Sequence, residues 1–189
     1  MQEKHFWSDY KSTFFPVPVV VVSVDTPKGP NLITLGWSGV LNSEPLIVGI
    51  SVRPSRYSNE FLHKEMKFGL NIPQESQAFG VDYCGVVSGR DVDKFAELKW
   101  HHFSSNILRV PLIDEFPVNA ECLVKNVINL GTHELFLAEV KGIYVDKQYL
   151  DQNRIDWAKA KGLTYASKTY WSVKDAIYKS GQSLQELKK

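Results

Sequence analysis

Residues 17–24 read VPVVVVSV, and this run limits the possible folds more than any other stretch. β-Branched side chains are stiff and fit a pleated surface, so an unbroken series of them suits a strand buried on both faces better than a helix. The turn chemistry of DTPKGPN at 25–31 follows. LITLGWSGVL (32–41) then reads as one second strand, loosened by Gly36 and Gly39. PLIVGISV (45–52) is a third strand, entered through Glu44-Pro45. Three strands joined by short connections describe an antiparallel meander.

From Ser55 to about Lys64 the pattern turns helical, with Phe61 and Leu62 facing inward and Ser55 or Ser58 as N-cap. MKFGLNIP (66–73) is a short strand, SQAFGVDYCGV (76–86) a helix, and SGRDVDKFAEL (88–98) a turn and a short helix capped by Asp91. In NAECLVKNVI (119–128), period two puts Ala120, Cys122, Val124, Asn126 and Ile128 on one face. In HELFLAEVKGIYV (133–145) it groups Phe136, Ala138, Val140 and Tyr144 against Leu135, Leu137, Ile143 and Val145. NLGT joins these two strands as a hairpin turning at Gly131. After Gln152 the chain alternates polar and aromatic residues and ends in SGQSLQELKK, a helical or frayed tail. With no internal repeat or linker, the 189 residues read as one domain, with a C-terminal extension over about 150–189. The fold class is all-β with short helices, a barrel in place of alternating βαβ units.

Composition narrows the function. Lys plus Arg is 22 and Asp plus Glu 21, a net charge of +1 that speaks against a nucleic-acid partner. Hydrophobic content of 43% and charged content of 23% are those of a soluble globular chain. No signal peptide or long apolar span is present, which implies a cytoplasmic protein, no membrane partner and reduced thiols. Cys84 and Cys122 lack CxxC spacing, so neither a disulfide framework nor a four-ligand zinc site follows. His101 and His102 are adjacent and on a strand would point to opposite faces, which makes a poor metal pair.

The chemistry concentrates in SVRPSRYSNEFL (51–62), where a strand gives way to a helix. A helix N-terminus offers unpaired N–H groups and partial positive charge, and Arg53, Arg56, Ser55 and Ser58 add cations and hydroxyls, a credible phosphate cradle. Taken alone, the serines read more simply as caps and the arginines as solvated. SGRDVDKF (88–95) repeats the same ingredients at a second helix start, which suggests one anion gripped from two sides. In GWSGVLN (36–42) a tryptophan between glycines leaves bare backbone beside which a flat ligand could lie, although a lone tryptophan is more often core filler. His133 is placed to bond a ligand carbonyl or a turn carbonyl. HExxH, GxGxxG and GxxxxGK[ST] patterns are absent, as is any hydrolase nucleophile arrangement.

PVPVVVVSV, NLITLGWSG, PLIVGISV with RPSRYSNEFL, FGLNIP, YCGVVSGRDVDKF and GTHELFLAEV, in this order, resemble the flavin reductase-like family of FMN-binding split barrels, and within it the flavoredoxin type. The resemblance runs from about Pro16 to Val145, with a weaker echo around Tyr165 to Trp171. It implies a six-stranded antiparallel split β-barrel, a homodimer, and FMN near the subunit interface. Carried over by position, it sets Asn31, Thr34 and Trp37 along the flavin ring and ribityl chain. Ser51, Arg53, Arg56, Tyr57 and Ser58 fall in the phosphate region, with Ser88, Arg90 and Lys94 on the second anion-gripping turn. Asn71 falls where backbone meets the flavin. Lys94, with backbone N–H groups near N1 or O2, would stabilise the reduced anionic ring. His133 is the candidate for orienting ring or substrate, and Tyr165 or Tyr170 for covering the ring. The implied activity is an oxidoreductase carrying electrons from NADH or NADPH to flavin, or through bound FMN to an acceptor. The alternatives are a non-enzymatic FMN electron carrier serving a redox protein partner, or a split-barrel binding module for haem, a pyridoxal-type phosphate or nothing.

Overall fold

Val20, Val22 and Val24 point into one buried cluster, Val19 and Val21 into another, so the valine run is buried on both faces, as its composition requires. The computed structural model describes residues 3–8 and 15–186; the last three residues of the expected C-terminal tail lie outside this range. In chain order the elements are β1 (Val17–Pro18), β2 (Val20–Val24), β3 (Asn31–Leu35), β4 (Ser38–Ser43), β5 (Leu46–Val52), α1 (Tyr57–Glu65) and β6 (Lys67–Ile72). They continue with α2 (Ala78–Val86), α3 (Lys94–Leu98), β7 (His102–Ser104), β8 (Pro111–Ile113), β9 (Val118–Asn129) and β10 (Glu134–Val145). The remainder is β11 (Leu150–Asp151), β12 (Arg154–Ile155), α4 (Trp157–Ala160), β13 (Leu163–Ala166), β14 (Thr169–Ser172) and α5 (Gln182–Glu186).

Seven strands form one antiparallel sheet in the order β3-β2-β6-β9-β10-β5-β4. Its two edge strands, β3 and β4, are consecutive in the chain and separated only by Gly36 and Trp37. The expected single strand over 32–41 is therefore one strand broken in the middle, each half pairing with a different side of the sheet. Counted once, it makes the barrel six-stranded, and the break is where the barrel splits. The Trp37 carbonyl accepts from the Ser51 N–H at 2.9 Å, which stitches the break to β5. Inside the barrel pack the inward residues of β2, Ile50 and Val52 of β5, Phe68 and Leu70 of β6, and Phe136 and Ala138 of β10. Helix α1 closes this core with Phe61 and Leu62, the two residues expected to face inward.

The second cluster covers the outside of β2 and β3 with Val81 and Cys84 of α2, Phe95 of α3 and Leu163 of β13. The stretch WAKAKGLTYASKTYW, whose alternation of polar and aromatic residues specifies no element by itself, holds α4 and the two strands that follow it. These strands, β13 and β14, form a hairpin that pairs with β1 through Val17–Tyr165 and Pro18–Thr164. Two face assignments fail at β-bulges. Leu137 pairs with Asn126 but Ala138 with Val124, so Lys125 is the extra residue and the alternation inverts. Val124 is buried, Val127 packs on the core, and Asn126 and Ile128 face outward. A second shift between Val140 and Gly142 reverses β10 in the same way and leaves Ile143 exposed. Among the described residues, no helix is long and apolar enough to cross a membrane.

Candidate functional site

The broken strand, the end of β5 and the start of α1 meet α2 and the C-terminal hairpin around two adjoining cavities. The larger, about 920 Å³, is lined by Trp37, Thr34, Ser51, His133, Tyr165 and Tyr170, with Phe15, Asp82 and Lys168. The smaller, about 460 Å³, is lined by Asn31, Ser55, Tyr57, Ser58, Ser88, Gly89, Arg90 and Lys94. Ile33, Arg53, Arg56 and Gly85 border both. The two turns singled out in the sequence therefore converge on one space.

The smaller cavity gathers positive charge from Arg53, Arg56, Arg90 and Lys94. Helix α1 has Arg56 as N-cap, with no side-chain cap bond; the expected capping by Ser55 or Ser58 does not occur. The first-turn N–H groups and the positive end of the helix dipole are thus left uncapped by any side chain. Ser58 is buried and accepts from Asn31 Nδ2 at 2.8 Å. The Arg90 guanidinium lies 5.1 Å over the Tyr57 ring, and its N–H reaches the Ser55 carbonyl at 3.4 Å. These contacts join the two turns, and the Lys28 ammonium adds a bond to the Arg90 carbonyl at 3.1 Å. The Ser88 hydroxyl accepts from the Arg90 N–H at 3.2 Å.

Lys94 is 4% exposed, and its ammonium donates to the carbonyls of Leu32 (2.7 Å) and Cys84 (2.9 Å). An ammonium has three donors, so one remains for the cavity. Burial pushes its pKa down to about 8, with the Arg56 charge adding to the shift and Cys84 opposing it. Of the two cavities, Lys94 borders the smaller one. Its helix is capped by Asp93, which accepts from the Phe95 and Ala96 N–H groups, where the sequence had suggested Asp91. Burial raises the Cys84 thiol to about 12, so it stays protonated and is no nucleophile.

The larger cavity has flat apolar walls. Trp37 is 51% exposed, so it is not core filler, and its ring stands 4.5 Å from that of His133. Burial and the nearby Arg53 charge hold the His133 pKa below its usual value, so the imidazole is neutral near pH 7. Its Nδ1 lies 3.0 Å from the Thr132 hydroxyl. Tyr165 and Tyr170 also line this cavity and pack edge to face at 5.2 Å. Burial and a hydrogen bond to the Asp82 carboxylate push the Tyr170 pKa far up, so it remains a phenol. The Thr34 hydroxyl is committed to the Val81 carbonyl.

Asn71 is brought to neither cavity. It is fully buried, donates to the Val21 carbonyl (2.9 Å) and Ser23 hydroxyl (3.0 Å), and accepts from the Ile113 N–H (3.0 Å) and Asn119 (2.8 Å). Every polar atom is satisfied there, so its role is to hold β6 to β2 and β8. Sequence reasoning missed Phe15, Asp82, Gly85 and Lys168. Asp82, Gly85 and Val86 share a helical face of α2, a three-residue spacing visible in AFGVDYCGV. The pairs Thr164–Trp171 and Ala166–Thr169 frame a two-residue turn in YASKTY, which the sequence also contains.

Known proteins resemble this chain in sequence and in fold. A sequence profile for the flavin reductase like domain matches residues 12–174. Among solved structures, flavoredoxin from Methanosarcina acetivorans superposes with a TM-score of 0.87 at 30% identity, covering 96% of this chain and all of the other. The NADH:FAD oxidoreductase SgcE6 of Streptomyces globisporus has a TM-score of 0.70 at 20% identity, covering 86% of this chain and 87% of that one; this likeness is one of fold. An uncharacterised protein of Archaeoglobus fulgidus is 29% identical over 111 residues, a match that spans 59% of this chain and 63% of that protein's length. The chain belongs to the flavin reductase-like family.

Proposed function

We propose that the chain is an FMN-binding oxidoreductase that accepts electrons from NADH or NADPH and passes them to a diffusible flavin or another acceptor, working as a cytoplasmic homodimer. The observation that carries this reading is the convergence of Arg53, Arg56 and Ser58 with Ser88, Arg90 and Lys94 on one cavity that opens into a second, flat-walled one. A dianionic phosphate ester attached to a planar ring has that distribution of charge and shape. Typical ligand pockets measure about 300–1,000 Å³, and the two cavities together exceed that range, leaving room for a second molecule.

Bound FMN would supply a two-electron acceptor that takes a hydride from a dihydronicotinamide, leaving a pyridinium, and one proton from solvent. The residues of this chain bind and orient. The arginines, Lys94, the two serines and the first turn of α1 would hold the phosphate, while Trp37, Thr34, Ser51 and Tyr165 flank the ring. His133 is neutral and beside Trp37, placed to orient the ring or the incoming nicotinamide. No protein acid or base is needed for hydride transfer; what the site must provide is alignment.

The test is titration of the purified protein with FMN and with riboflavin, followed by fluorescence quenching. FMN is expected to bind at least a hundredfold more tightly, and Arg56→Ala with Lys94→Ala to weaken it by about 2–5 kcal/mol through lost charge-assisted contacts. Equal affinities for the two flavins would overturn the assignment of the smaller cavity. Anaerobic NADH or NADPH should then bleach the flavin absorbance. The likeness to flavoredoxin favours one alternative, an electron carrier, which would respond slowly to either nucleotide and exchange rapidly with a second redox protein.

A further inference from the structure

The larger cavity carries a cation that the phosphate grip does not use. Lys168 lines it but not the smaller cavity, so it stands apart from the group around Arg90 and Lys94. It is exposed, and among the described residues it has no ion-pair partner, whereas Lys125, Lys141 and Lys161 each face a glutamate. Among the described residues the only acid lining the same cavity is Asp82, whose carboxylate is engaged by the Tyr170 hydroxyl.

The backbone gives a second, independent sign. Lys168 and Ser167 form the two-residue turn between β13 and β14, with φ of +62° and +49°. Two successive left-handed residues make a type I′ turn, where Asn-Gly or Gly-Gly relieves the steric conflict of a Cβ. This chain keeps a lysine there, against local preference, at the rim of the cavity. Such outliers concentrate at functional sites.

We propose that Lys168 is a specificity residue for the second substrate and binds the diphosphate of the pyridine dinucleotide that enters to reduce the flavin. The inference rests on the FMN reading above. An FMN phosphate held by Arg53 and Arg56 in the smaller cavity would leave the remainder of the larger one for the dinucleotide, and Lys168 is the further cation that borders it.

Lys168→Gly separates charge from fold, because glycine removes the ammonium while relaxing the turn. With FMN bound, the variant is expected to keep or raise the wild-type Tm and to keep the FMN dissociation constant. Its KM for NADH or NADPH should rise about tenfold at unchanged kcat, and Lys168→Glu should raise it further. Calorimetric titration of the flavin-loaded protein with the oxidised dinucleotide should show the same weakening. With 1-benzyl-1,4-dihydronicotinamide, which has no phosphate, the variants should match the wild type. Unchanged dinucleotide KM in both variants, or equal losses with the uncharged donor, would overturn the role of Lys168 while leaving the FMN reading intact. A wild-type protein that binds FMN but is reduced by neither nucleotide would overturn both this role and the hydride-donor part of the proposed function.

Discussion

Single residues carry most of the electrostatic weight of the site. Lys94 is a buried ammonium whose pKa lies near 8 in the folded chain against an ordinary 10.5. Between these values the unfolded chain binds the more protons, so the stability of the flavin-free protein is expected to rise with pH over that window. Chemical denaturation between pH 7 and 10 checks the sign. Phosphate binding needs the charged form, so FMN affinity should fall above pH 8, approaching tenfold per pH unit, while riboflavin affinity stays level. Gly89 gives a steric prediction. A Cβ there would collide with the Asn31 side-chain oxygen, and Asn31 in turn holds Ser58. Gly89→Ala is expected to cost about 1–3 kcal/mol of stability in denaturant and to weaken FMN as well.

At the scale of elements, one buried carboxylate joins several segments. Glu121 on β9 is fully buried and accepts from the N–H groups of Ile107 (3.1 Å) and Leu108 (2.6 Å) and from the Tyr144 hydroxyl on β10 (2.6 Å). Burial alone would raise its pKa; these hydrogen bonds outweigh it and hold the carboxyl below its ordinary value. A depressed carboxylate contributes stability above its unfolded pKa and loses it as pH falls through the folded one. Glu121→Gln turns an acceptor into a donor facing donors, with an expected loss of about 2–4 kcal/mol. The loss should shrink as the wild type itself becomes protonated in acid, which denaturation at pH 7 and pH 3 measures. The register around Glu121 also shows why strand faces were only partly legible. Alternation in NAECLV gave the buried face correctly up to Val124, but the bulge at Lys125 inverted it, because pairing with β10 demanded an extra residue that no local pattern signals.

The whole molecule exposes 12,229 Å². A monomer of 21.5 kDa is expected to expose about 9,000 Å². The surplus includes Val40 and Leu41 on β4, Leu130 at the β9–β10 hairpin, and Ile177 and Leu184 near the C-terminus, each more than half exposed. Obligate dimers bury about 2,000–5,000 Å² counted over both partners, so two chains that each carry this surplus have enough surface to form one. Sedimentation equilibrium is expected to give twice the 21.5 kDa chain mass, and Leu41→Glu to shift it toward the monomer. A stable monomer at micromolar concentration would contradict this expectation.

What the sequence determined by itself is local. The β-branched run made β2 a strand covered on both sides, the strand-to-helix junctions placed cations and hydroxyls at two turns, and Gly131 turned the long hairpin with a φ of +95°. These outcomes follow from side-chain shape and backbone preference over a few neighbours. Only the tertiary structure decided that the two turns face one cavity, that Asn71 spends its hydrogen bonds in the core, and that the C-terminal hairpin walls the larger cavity. Each depends on which strand pairs with which across long stretches of chain, and pairing energy is gained only once the whole sheet closes at Gly36 and Trp37.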